Sequence, residues 1–186
     1  MIETFKYIEV WETEQLDQIP SHLNLPMIDI VRWYNHIHKI KSNVQNDCAN
    51  MRSIQNKPNS KPRIETIIKL TEMFEDYYIS HDLTPLDGRI RVIDPTICVK
   101  ELKDRDIIAK EFQNEYPQYK ISLAIQIWTG KTYPKLDMLK DITEYIIKCD
   151  EEALDLPKAV GRKWDLDNWI KTSKIKRKQS WEQQYD

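Results

Sequence analysis

The chain has 186 residues, 40 % of them apolar and 31 % charged, enough to bury one core or two small ones, and its 3 glycines favour helix over loop or strand. A net charge of −2 and a pI near 6.1 exclude a highly basic coat protein, since neutralising phosphates takes positive charge. Cys48, Cys98 and Cys149 lie far apart and are odd in number, so neither a disulfide framework nor a zinc motif is suggested and a reducing, cytoplasmic setting is expected. The first residues carry no signal-peptide pattern, and no apolar run approaches the roughly 18 residues of a membrane span, so no membrane partner is expected.

The charges are segregated. Residues 1–17 carry Glu3, Glu9, Glu12, Glu14 and Asp17 against Lys6. Two basic patches follow, one in 39–63 (Lys39, Lys41, Arg52, Lys57, Lys61, Arg63) and one in 158–178. Each reads either as a phosphate-facing surface or as a solvated helix face or tail.

In chain order, a short helix or extended segment opens the chain. Ile19 to Asn35 then has the spacing of two short helices around a tight turn, with Ile19 and Leu23 inward from the first, Asn24 at the turn, and Leu25, Ile30 and Trp33 closing the core from the second. This is a helix-turn-helix pattern and points to DNA. Its outward positions, Pro26, Met27, Asp29 and Arg32, include one good base reader, Arg32, and one carboxylate that would repel phosphate. A DNA-reading helix and a helix pair buried against a partner both remain open for this unit.

The Asn, Ser and Pro content from Ser42 to Pro62 is that of a linker. From Arg63 to Ser80 the apolar residues Ile64, Ile67, Ile68, Leu70, Met73, Phe74 and Tyr77 follow the helical period. Thr84 to Gly88 reads as a turn, and Arg89 to Ile93 alternates as a short strand stopped by Asp94-Pro95, so a strand or small hairpin is expected near 89–99. Val99 to Tyr116, Ile121 to Trp128 and Leu136 to Cys149 read as helices, the last with Leu139, Ile142, Tyr145 and Ile146 inward. The expected class is mainly α, organised as a helix-turn-helix-like unit at 1–45, a linker at 46–62, a helical domain at 63–150 and a basic segment at 151–186.

A second unit pairs a helix at Ile107-Ile-Ala-Lys-Glu-Phe112 with one at Ile121-Ser-Leu-Ala-Ile-Gln-Ile-Trp128, followed by Thr129-Gly-Lys-Thr-Tyr133. The run Ile108-Ala-Lys-Glu-Phe112 with Ile127-Trp-Thr-Gly-Lys-Thr-Tyr133 resembles the helix-turn-helix modules of phage DNA-binding proteins and those appended to homing endonucleases, over about thirty residues. The resemblance implies contact with double-stranded DNA by the second helix and the Gly-Lys-Thr turn, through Lys120, Ser122, Gln126, Thr129, Lys131 and Thr132. This chain departs from the pattern between Phe112 and Ile121, which are separated by more residues than a tight turn needs.

Leu156-Pro-Lys-Ala-Val-Gly161 echoes the spacing of Ile19-Pro-Ser-His-Leu-Asn24, but the intervals are too uneven for a true repeat. The tail Lys171 to Ser180, with Lys174, Lys176 and Arg177, suits phosphate contacts, or is a charged terminus.

Catalytic constellations are not found. His36 and His38 would lie on opposite flanks of a helix and read as a solvated pair, and Gly130-Lys131-Thr132 lacks the earlier glycine and strand of a phosphate loop. Asp165 and Asp167, or Glu75 and Asp76, could hold magnesium, but nothing ties them to a cleft. No metal, no cofactor and no catalysis are expected. Of the six tryptophans Trp181 is the one expected to be exposed.

Two functions follow. One is a non-enzymatic double-stranded DNA-binding protein, a phage or mobile-element regulator or a DNA-packaging or replication accessory. The alternative is a protein-binding inhibitor or adaptor that docks on a host factor such as RNA polymerase.

Overall fold

The computed structural model describes residues 5–41 and 61–160, with side chains described as far as Ala153. These residues form seven helices and a two-stranded antiparallel sheet: β1 (Tyr7–Trp11), α1 (Thr13–Leu23), α2 (Met27–Ile37), α3 (Ile64–Ser80), β2 (Arg89–Ile93), α4 (Cys98–Asp104), α5 (Ala109–Glu115), α6 (Ile121–Trp128) and α7 (Leu136–Val160). The chain divides into two compact units, an N-terminal one of Tyr7–Val92 and a C-terminal one of Met1–Lys6 with Ile93–Asp186.

In the N-terminal unit α3 is the central element, packed by α1, α2 and β1. Its residues Ile64, Ile67, Leu70, Met73, Phe74 and Tyr78 are buried, so one apolar stripe at helical spacing meets three partners at once. The inward aromatic at the end of the stripe is Tyr78; Tyr77, expected inward, is only half-buried. Trp11 ties β1 to this helix. Its ring is fully buried, its backbone N–H donates to Thr71 Oγ1 at 3.3 Å, and its indole N–H donates to the Leu86 carbonyl at 2.9 Å. Across the strands, the Arg91 guanidinium lies 4.1 Å from the Tyr7 ring centroid, a cation–π contact.

With few glycines, the chain ends its helices by an unusual use of other residues. Asn24, Lys39, Asp82 and Asp106 are the non-glycine residues with positive φ among those described, and each stands just past a helix end. After α1, Leu25 N–H bonds to the Pro20 carbonyl (3.0 Å) and Asn24 N–H to that of Ser21 (3.1 Å). The same double closure recurs at Lys39 after α2, Asp82 after α3, Asp106 after α4 and Gly130 after α6. It satisfies carbonyls that would otherwise be left without donors.

That device explains one departure from the sequence reading. The helix expected from Val99 to Tyr116 is two helices, because Asp106 closes α4 and the chain runs extended through Ile108 before α5 begins. Ile107 and Ile108 are therefore buried ahead of the helix and not within it. Within the N-terminal unit α3 completes the core of α1 and α2. In the C-terminal unit α7 continues past Cys149 to Val160.

The C-terminal unit is built on α4 to α7. Ile127, Phe112, Leu102, Leu139, Ile142 and Ile146 are each fully buried. Phe112 is the hub of an aromatic cluster, with ring centroids of Tyr116, Trp128, Tyr145 and Tyr119 within 4.8 to 5.9 Å. Arg105, at the α4 end, donates to both carboxylate oxygens of Asp150 on α7 (2.8 and 3.1 Å from Nε) and to Glu101 Oε2 at 2.6 Å. Cys98 is a core residue whose thiol is pushed up to about 12, by burial and then by Glu101, and behaves as a small hydrophobe.

Candidate nucleic-acid interface

The short helix α6 is held from behind. Ala124, Ile127 and Trp128 form its buried face, packed on α5 and α4, and the Trp128 indole N–H donates to the Ile107 carbonyl at 2.8 Å. Five residues, Tyr116 to Lys120, connect α5 to α6. This longer turn is anchored by Tyr119, whose hydroxyl donates to Asp141 on α7 at 2.6 Å; burial first and the Asp141 carboxylate second push its phenol well up, so it remains a donor at neutral pH.

Facing away from that support, Lys120, Ser122, Gln126, Thr129, Lys131 and Thr132 are all exposed. Ser122 and Gln126 stand four residues apart on the helix and so lie side by side. Beyond them Gly130, with φ +73°, closes the helix: Lys131 N–H donates to the Gln126 carbonyl at 2.8 Å and Gly130 N–H to that of Ile127 at 2.9 Å. The Gly-Lys-Thr run is thus first a helix end that turns Lys131 and Thr132 outward. The buried Pro134 and Leu136 bring the chain back into the core.

The six residues are not equivalent. Thr129 donates its hydroxyl proton to the Ile125 carbonyl at 2.8 Å, so only its lone pairs face out. Thr132 makes a long contact of 3.4 Å with the Tyr133 carbonyl. Among the described residues no hydrogen bond or ion pair of the side chain engages Lys120, Ser122, Gln126 or Lys131.

Two features of this surface escaped the sequence reading. Between Glu115 and Asp137 the chain contains no carboxylate, while Lys120, Lys131 and Lys135 fall within it. At its border the Glu115 carboxylate is held by Lys148. This gap could have been found by counting signs along the sequence. The second feature is apolar. Ile121 (38 % exposed), Leu123 (40 %) and Tyr133 (48 %) flank the polar residues, and only the packing of α6 reveals that they face out.

Arg32 belongs to the N-terminal unit. It is exposed on α2, 3.5 Å from Asp29 one turn earlier, a weak surface pair that places a carboxylate beside it. Met27, expected to face outward, is half-buried because α2 packs on α3. The histidines of this unit are also more engaged than a solvated pair: His38 Nε2 is 2.8 Å from Asp76 Oδ2, and His22 Nδ1 is 2.9 Å from the Tyr78 hydroxyl. His36 is exposed. Lys174, Lys176, Arg177, Trp181 and Gly161 lie outside the described residues.

No protein-family model, curated protein or solved structure matches the chain. Among the described residues no group of three or more His, Cys, Asp or Glu could hold a metal ion, and no helix is long and apolar enough to cross a membrane.

Proposed function

We propose that this chain binds double-stranded DNA, without chemistry of its own, through α6 and its flanking turns. One observation carries the reading: a rigidly backed helix presents Lys120, Ser122, Gln126 and Lys131 outward from a stretch that holds no carboxylate, in a chain otherwise slightly acidic. Lysines at both ends of the helix suit phosphates, and the serine and glutamine between them suit base edges. Lys174, Lys176 and Arg177 would add phosphate contacts. A regulatory, packaging or replication-accessory role in a phage or mobile element follows from the resemblance of Ile108 to Tyr133 to modules of that kind.

Electrophoretic mobility shift of the full chain on random-sequence duplex, at low and moderate salt, tests this. Retardation that weakens steeply with salt is expected, and absence of any shift at low salt refutes the reading. The exposed Ile121, Leu123 and Tyr133 favour a second reading, docking on a protein such as RNA polymerase. Docking of that kind would give a salt-insensitive complex lost on Leu123→Ser.

A further inference from the structure

We infer that α6 reads A·T-rich duplex in the major groove, with Leu123 against a thymine methyl group and Gln126 on adenine; the inference rests on the DNA-binding reading above. It starts from what the outward face of α6 contains. In the major groove, guanine presents two acceptors that arginine or lysine bridges, adenine presents a donor and an acceptor that an amide matches, and thymine alone adds a methyl group. The helix has no arginine and no lysine between Ile121 and Trp128, so it lacks a guanine reader of its own. Its central exposed amide is that of Gln126, whose side chain makes no hydrogen bond within the described residues and can pair with adenine N6 and N7. Ser122, one turn earlier, discriminates little.

An apolar residue completes the pattern. Leu123, three residues before Gln126 and on the same side of the helix, keeps 40 % of its surface in water although Ala124, Ile127 and Trp128 are buried, so the fold leaves it without a full cover. Beside Gln126, a thymine methyl is the group on a base edge that an aliphatic side chain can desolvate with gain. Lys120 and Lys131 lie before and after the helix and are placed for backbone phosphates, which carry no sequence information.

Fluorescence anisotropy of the full chain on four duplexes of equal length tests the inference: one A·T-rich, one G·C-rich, the A·T-rich one with deoxyuridine for every thymidine, and the G·C-rich one with 5-methylcytosine. Deoxyuridine removes the methyl and leaves both the pairing edge and the minor-groove acceptors. Roughly tenfold tighter binding to the A·T-rich duplex than to the G·C-rich one is expected, most of it lost with deoxyuridine. Leu123→Ser should abolish the difference between thymidine and deoxyuridine, and Gln126→Ala should narrow the preference for A·T. Gln126 is exposed and Leu123 keeps 40 % of its surface in water, so both changes leave the buried face of Ala124, Ile127 and Trp128 intact. Equal affinity for the thymidine and deoxyuridine duplexes, or a methyl effect that survives Leu123→Ser, overturns the inference and leaves duplex binding standing. Gain of affinity on the methylcytosine duplex supports it. Failure to bind any of the four refutes the reading on which it rests.

Discussion

Trp128 and Ile107, twenty-one positions apart, are joined by a 2.8 Å hydrogen bond from indole N–H to backbone carbonyl, and this bond sets where α6 ends against the start of α5. The carbonyl lies on a residue only 2 % exposed, so removing the donor leaves it without an evident replacement. Trp128→Phe keeps the contact with Phe112 and deletes the N–H. A loss of about 1–3 kcal/mol in unfolding free energy is expected from urea denaturation. A midpoint unchanged from the parent chain would show that water replaces the indole.

Lys39 and Gly130 occupy the same left-handed position after a helix, and they should respond in opposite directions. Lys39 has φ +52° with a bulky side chain, so Lys39→Gly relieves strain and should stabilise by about 0.5–1 kcal/mol. Gly130→Ala should destabilise by about 1 kcal/mol even though a Cβ there would meet nothing within 4 Å, because the cost is one of backbone conformation. Thermal denaturation of the two single variants measures both signs.

Arg105 holds Glu101 and Asp150 together, and the three side chains are 16 to 24 % exposed. Arg105→Ala leaves two carboxylates facing one another with much of their hydration gone. It should cost about 2–4 kcal/mol, and Arg105→Lys should recover only part, since an ammonium cannot make the forked contact with Asp150. Chemical denaturation of both variants checks this; full recovery by lysine would argue that charge alone matters.

Asp94 supplies an acid-sensitive contribution to stability. Burial by itself would raise its carboxyl, but Lys6 Nζ at 2.8 Å and the Thr96 hydroxyl and N–H at 2.6 and 2.9 Å outweigh burial and hold it below its ordinary value. Its folded pKa therefore lies under the unfolded value of about 3.9. The unfolded chain binds the proton more readily, so this contribution is present above about pH 4 to 5 and disappears as pH falls through the folded pKa. Denaturation midpoints from pH 7 to pH 3 should fall less steeply for Asp94→Asn, and parallel curves would contradict the assignment.

Lys120 and Lys131 should act on DNA affinity without discriminating sequence. Replacing either with Ala is expected to reduce the slope of log affinity against log salt by about one, and the pair by about two. Arg32→Ala should change the slope less, because the Asp29 carboxylate stands beside it. Salt titrations of anisotropy on a single duplex decide between these outcomes.

Several elements were legible before any coordinates. The apolar period from Ile64 to Phe74 and that of Leu139, Ile142 and Ile146 require a helix with one buried face, and alternation from Arg89 to Ile93 requires a strand. The positions of Asn24 and Gly130 were legible too, since these residue types tolerate positive φ. The break at Asp106 was not, because aspartate after a helix is common and carries no local mark as strong as glycine or proline. Nor was the partnership of His38 with Asp76, thirty-eight residues apart, which exists only because α2 lies against α3.

Residue order alone dictated a mainly helical chain, since apolar spacing decides which segments can bury a face whatever they meet. It also placed Lys120, Gln126 and Lys131 around one short segment. Which sides of that segment face solvent was settled only in three dimensions. Exposure depends on what covers the opposite face, and here the cover comes from α4, α5 and the carbonyl of Ile107, none of which the eight residues of α6 encode by themselves.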